Sequence, residues 1–311
     1  MALTSSIVQA WAAQAVSQLS VASPWLQVAR DRSSEVTGAD RLHIGYPKAA
    51  VVGLFQDYTD LSVTDVVDAG TYMLVEQRAA SRTNISTMDA LRASYDLFGA
   101  TAEDAARGLT KGDDGMNRFF QGCSRGLDTA NTRFHNNSFV TTTNVKLLST
   151  ANADYDPNAT AFQDKVAAAL LEAAAFAAGE GWSPNRFCIT SRNNFSALMQ
   201  WALRKNIHLV AATTNDDALV NGVVNHLFGF RIFIDPEEPN GVSGTAHATG
   251  AADNMYLGMV GNGMNYASAL QYATINDHPA QIGYLATLVN VYGVQQDNVN
   301  DKFYRIEHEA K

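Results

Sequence analysis

The chain has 311 residues, enough to bury a sizeable core in one to three domains, and its net charge of −9 argues against a nucleic-acid reader, which concentrates Lys and Arg against phosphates. Hydrophobic residues make up 46% of it and charged residues only 17%, against about 25% in an ordinary soluble domain. Either the surface is polar but uncharged, or much of it is hidden against other subunits. Two cysteines, Cys123 and Cys188, are too few for a disulfide framework or a zinc site and read as reduced, buried thiols. No apolar run reaches the roughly 20 residues that span a bilayer.

Taken in chain order, residues 5–20 predict a short amphipathic helix with Ile7, Val8, Trp11, Ala12, Ala15 and Leu19 on one face. The stretch "ASPWLQVARDRSSEVTGAD" reads as an extended, turn-rich arm. "RLHIGYPK" alternates Leu42, Ile44 and Tyr46 and predicts a strand, with "GTYMLVEQ" at 70–77 as its antiparallel partner. Between the two lies an apolar insertion carrying Asp57, Asp60, Asp65 and Asp68. It is too long for a tight turn, and on an isolated monomer it would expose strand edges and apolar surface.

A capping-box pattern at Ser86–Asp89 predicts one helix, and Thr101–Asp104 opens a second, longer one. The inner face of that second helix is Ala105, Leu109, Gly112, Met116, Phe119 and Cys123; Asp113 and Asp114 beside it read as solvated charge. Residues 128–157 look irregular. "TAFQDKVAAALLEAAAFAAG" is a strong helix stopped by Gly179 and Gly181. Then come a buried strand in "NRFCITS", a helix in "RNNFSALMQWALRKN" and a strand in "IHLVAA". "GFRIFIDPEEPNG" follows as a well-punctuated strand, opened by Gly229 and closed by prolines. "MYLGMVGNGMNYASAL" predicts a strand, a glycine turn and a helix-like stretch. "QIGYLATLVNVYGVQQDN" reads as a long strand broken at Tyr292–Gly293, and "KFYRIEHE" as a terminal strand. The class is α+β, without a βαβ rhythm.

Chemistry is hard to find. "GNGMNY" at 261–266 places Tyr266 where a dinucleotide fingerprint needs its third glycine, "GVSG" lacks the last glycine of a nucleophile elbow, and no P-loop is present. The seven histidines are scattered, with no HExxH pair. No catalytic, cofactor or metal residues emerge.

The order of the segments is more informative. "RLHIGYPK" with "TYMLVEQRAASRTNIS", then "TAEDAARGLTKGDDGMNRFF", "NRFCITSRNNFSALMQW", "NGVVNHLFGFRIFIDPEEP" and "HPAQIGYLATLVNVYGVQQDN" together resemble the major capsid protein of tailed double-stranded DNA bacteriophages, with its Hong Kong 97-type capsid fold. The resemblance spans nearly the whole chain. It implies an N-terminal arm at 1–39, an extended β-hairpin loop at 40–80, and a peripheral domain with a long spine helix at 81–158. An axial domain follows at 159–279, and closing strands at 280–311 return to the peripheral domain.

The implied function is structural rather than enzymatic and needs no cofactor. Copies self-assemble into hexamers and pentamers of an icosahedral head around DNA contacted non-specifically, in the virion, after assembly in the host cytoplasm and without a membrane. Trp11, Trp25, Leu42, Ile44, Tyr46, Leu54, Phe55 and Tyr72 are expected to contact neighbouring subunits. The arm begins almost at Met1, so the scaffold is expected to be a separate protein docking on Asp57, Asp60, Asp65 or Asp68. A portal and a cement or decoration protein complete the expected partners. Lys48 is the one lysine of the loop, and Asn298 or Asn300 is its candidate cross-link partner. The alternatives are an encapsulin-like nanocompartment shell of the same fold and, from a different class, a soluble hydrolase with a concave polar pocket.

Overall fold

The structure is a computed structural model that describes residues 5–36, 41–44, 71–86, 97–110, 115–125, 145–149, 157–205, 226–235, 254–277, 283–296 and 303–309. Helix α1 spans Ser5–Ala22 and a five-residue helix, α2, spans Pro24–Val28. A two-residue strand, β1 (Arg30–Asp31), and a single 3-10 turn at Ser33–Glu35 come next. Residues 24–35 are therefore not the extended arm that their sequence suggests. Trp25, with no exposed surface, pulls this segment into the body.

The expected hairpin forms: β2 (Arg41–Ile44) pairs antiparallel with β3 (Thr71–Leu74), placing Leu42 opposite Met73. Chain continuity then carries β3 into a ten-residue strand, β4 (Gln77–Ser86). Ser86 is the last residue of this strand, and the helix expected after it lies outside the described residues. The long helix expected from Thr101 is two helices, α3 (Leu97–Thr110) and α4 (Met116–Arg125). Ala105, Leu109, Met116, Phe119 and Cys123 are all buried, so the inner face was read correctly. Gly112, Asp113 and Asp114 lie outside the described residues, as do 207–212.

Strand β5 (Val145–Ser149) interrupts the stretch expected to be irregular. Helix α5 (Thr160–Gly179), strand β6 (Arg186–Thr190) and helix α6 (Arg192–Arg204) form as anticipated, and the Ser191 side chain caps α6 by accepting from the Asn194 amide. A tight hairpin joins β7 (His226–Leu227) to β8 (Phe230–Ile234). Its two turn residues, Phe228 and Gly229, have φ of 50° and 81°, the left-handed pair that matches strand twist in a two-residue hairpin. Strand β9 (Met255–Met259) leads through residues 260–263 into β10 (Met264–Asp277). The "helix-like" segment is thus a 14-residue strand, because β11 (Gly283–Gln296) offers it an equally long partner. β12 (Phe303–Glu309) is the last element.

The strands make two principal sheets. One has six strands in the order β5-β12-β9-β6-β8-β7, and the other four in the order β1-β10-β11-β4. The six-stranded sheet is covered on both faces. Cys188, Leu257, Tyr304, Ile306 and Phe230 point towards α5 and α6, whereas Phe187, Ile189, Tyr256 and Phe303 join a core shared with α2, α4 and the second sheet. Alternation along each strand divides these residues between the two cores. At the turn 260–263 the chain passes from one sheet to the other: β10 pairs with β1 and β11, and β12 returns to pair with β9 in the six-stranded sheet.

Candidate self-association surface

The four-stranded sheet presents its two faces to different environments. Tyr284, Ala286, Leu288, Tyr292 and Val294 on β11, with Ile275 on β10 and Ala79 and Ile85 on β4, face the shared core beneath α1, α3 and α4. The alternate residues point the other way. Register sets them in rows across β10, β11 and β4: Tyr272, Val289 and Ala80; Thr274, Thr287 and Arg82; Asn276, Leu285 and Asn84. Tyr272 is 49% exposed, and Arg78, Ala80, Arg82 and Asn84 are exposed along the edge strand. At its centre Thr287 is buried and Val289, Leu285 and Thr274 are half-buried, so among the described residues the open part of this face is Tyr272 with the arginines and asparagines along its margins.

One end of the outward face is already occupied. The β2–β3 hairpin lays Leu42, Ile44, Met73 and Val75 over Ala267 in a third small core. Its closeness explains Gly293: a Cβ there would collide with the Leu74 carbonyl oxygen. The Tyr-Gly pair is therefore not a break in β11. It is the point where another backbone crosses the strand.

The base of the hairpin is thus held on its own subunit, and four residues expected to meet a neighbour are already packed. Trp11 is 2% exposed, Trp25 and Ile44 have no exposed surface, and Leu42 is 7% exposed. They serve the chain's own cores, because each sits on the inward side of its element. Tyr72 stands opposite His43 in the hairpin register. Tyr46, Lys48, Leu54, Phe55, Asp57, Asp60, Asp65, Asp68, Asn298 and Asn300 lie outside the described residues. The outward residues of β10, β11 and β4 were missed. An alternating apolar strand does not say which of its faces is covered, and the start of β10, "MNYASAL", has a helix-like composition.

A second feature that sequence reading missed is polar and buried. Asp235, just past β8, is fully buried. Its Oδ2 accepts from Trp25 Nε1 at 2.7 Å and from Gln121 Nε2 at 2.8 Å. The Trp25 ring stacks on Phe120 with centroids 5.6 Å apart and leans on Tyr256 at 5.0 Å. Nearby, Ser23 Oγ donates to Asn117 Oδ1 at 2.5 Å. The "polar" end of the strand Phe230–Ile234 is therefore the place where the six-stranded sheet, α2 and α4 are joined.

Chemically reactive groups are few. Both cysteines are free and buried, and burial pushes the Cys188 thiol up to about 12, away from thiolate reactivity. Among the described residues no three His, Cys, Asp or Glu side chains are gathered to hold a metal ion, and no helix is long and apolar enough to cross a membrane.

No protein-family model matches the chain, and no curated protein matches it in sequence. Solved structures do. The capsid of cyanophage P-SCSP1u is similar over 92% of this chain and 88% of its own, at 15% identity and a TM-score of 0.60. The capsid of Ralstonia phage GP4 is similar over 91% and 87%, at 13% identity and a TM-score of 0.60. The mature capsid of bacteriophage PhiM1 is similar over 91% and 86%, at 13% identity and a TM-score of 0.59. At such identities the likeness concerns the fold. The chain has the α+β fold of these phage capsid structures along nearly its whole length, as the order of its segments implied.

Proposed function

We propose that this chain is a phage coat subunit, a major capsid protein whose copies close into an icosahedral head around double-stranded DNA. The observation that supports this reading is the one-sided covering of the four-stranded sheet in a chain that has a capsid fold. A long sheet with an apolar, half-open face beside a hairpin suits a subunit whose neighbour completes the covering. On this reading hexamers and pentamers form by each copy lapping its hairpin onto the outward face of the next. The acidic residues of the hairpin insertion, Asp57, Asp60, Asp65 and Asp68, then have complementary charge in Arg78 and Arg82 of the neighbour. Closure multiplies such modest contacts through effective concentration.

The domain plan follows the sheets. We assign residues 159–259, with β5 and β12 of the same sheet, to the axial domain and move β10 to the peripheral domain with β4 and β11, so that of the expected closing strands only β11 returns to the peripheral domain. A separate scaffolding protein, a portal and a cement protein are the further partners of this reading, and assembly in the host cytoplasm is its setting. Lys48 with Asn298 or Asn300 is its candidate cross-link, and a denaturing gel of particles that shows monomer alone removes it.

Electron microscopy of the purified full chain, with and without a candidate scaffold, tests the proposal. Closed shells, tubes or regular capsomers are expected. A uniform small oligomer under every condition overturns it. The contents of closed particles separate a phage head, which holds DNA, from a nanocompartment, which holds a protein cargo.

A further inference from the structure

The segment between α1 and β2 is bound to the body by contacts with four separate elements. Trp25 reaches Asp235 after β8 and stacks on Phe120 of α4. The Gly261 amide, in the turn before β10, donates to the Val28 carbonyl at 2.8 Å. β1 pairs in parallel with β10 at Asn265 and Tyr266, and the Arg32 amide donates to the Tyr266 carbonyl at 2.8 Å. The Ser268 amide donates to Ser33 Oγ at 2.9 Å. A helix as short as α2 does not hold itself together, so its shape depends on these attachments. On either side the chain is anchored as well, by Trp11 and Ala15 of α1 in the shared core that Trp25 and Val28 also join, and by Leu42 and Ile44 of β2 in the third core.

We propose that residues 23–35 are a clasp, a segment that opens and closes as one unit across the two sheets, and that the Asp235 carboxylate holds it shut. The physical reason is the position of that carboxylate. One fully buried oxygen accepts from the indole of the clasp and from Gln121 of α4, so removing it leaves two buried donors facing apolar surroundings. The remaining attachments are the buried Ser23–Asn117 bond, the side-chain bonds Arg32–Asn265 and Ser33–Ser268, and the backbone bonds to Gly261 and Tyr266; on this proposal they part when the ring leaves its slot. The proposal concerns the single subunit and holds whether or not the chain builds a shell.

Hydrogen exchange of the full chain, followed by mass spectrometry, tests it. In Asp235→Ala, peptides covering 23–35 and 261–268 should exchange about tenfold faster or more, and together, while peptides from β11 keep their rates. Asp235→Asn retains an oxygen able to accept both donors and should stay within about threefold of the parent chain. Unchanged exchange at 23–35 in Asp235→Ala overturns the proposal, as does an equal acceleration throughout the chain. Should Asp235→Ala not fold, Trp25→Phe keeps the stacked ring and removes only the donor. It is read by the same criterion, with coupled acceleration of the two regions expected and its absence decisive against the clasp.

Discussion

The six-stranded sheet is closed on both faces, by α5 and α6 on one side and by α2 and α4 on the other, whereas among the described residues the four-stranded sheet is closed on one face and only partly, by the β2–β3 hairpin, on the other. Both are built from alternating strands with aromatic and β-branched residues. The difference lies in what lies over the second face. The first sheet completes its core within a single subunit. The second leaves Tyr272 exposed and Val289 and Leu285 half-buried beside the covered end, and so has something to gain from a second copy.

The comparison can be broken most severely in the doubly covered sheet. Phe187→Ala removes a fully buried ring between the two sheets and should cost about 3–5 kcal/mol in denaturant unfolding, with loss of all assembly as a consequence. A cost near that of a surface change would mean that this sheet is not the structural core. Gly293→Ala should come next. The added methyl meets the Leu74 carbonyl and lies 3.1 Å from Val75 Cα, so the hairpin must shift. Roughly 1–3 kcal/mol is expected, together with faster hydrogen exchange in 41–44 and 71–74.

Tyr272→Asp sharpens the comparison from the other side. Subunit stability should stay within about 0.5 kcal/mol of the parent while shells or capsomers fail to form. Equal loss of stability and assembly would show that the outward face serves the subunit itself. Smaller still is the effect at Cys188. With its thiol held near 12 under α5 and α6, iodoacetamide at neutral pH should leave it unlabelled until the chain unfolds, as judged by intact mass. Labelling in the folded chain would mean that this helical layer opens.

The smallest effect is at the rim of the same layer, where the Arg204 hydrogen bond holds the Asp164 carboxyl below its usual range. A lowered folded value means that the pair's contribution is present above the ordinary carboxylate range and fades as pH falls through the lowered folded value. Arg204→Ala should return Asp164 to the ordinary range in a carboxyl NMR titration. Both side chains are a third to a half exposed and screened by solvent, so no shift in thermal midpoint is expected.

Much of this was legible in the residues because the signals are local. The helix at Thr160–Gly179 announces itself by propensity and by its closing glycines, the strand Arg186–Thr190 by an unbroken apolar run, and the hairpin by Leu42 and Ile44 in alternation. The order of these segments was enough to imply a capsid fold. Other features depended on partners distant in sequence. β10 is a strand because β11 pairs with it over 14 residues, and Gly293 is a crossing point because Leu74 happens to lie above it. Trp25 is core rather than interface because Asp235, 210 positions away, accepts its indole proton. Periodicity fixes which side chains share a face. Which face is buried, and against what, is a long-range property that no window of neighbouring residues contains.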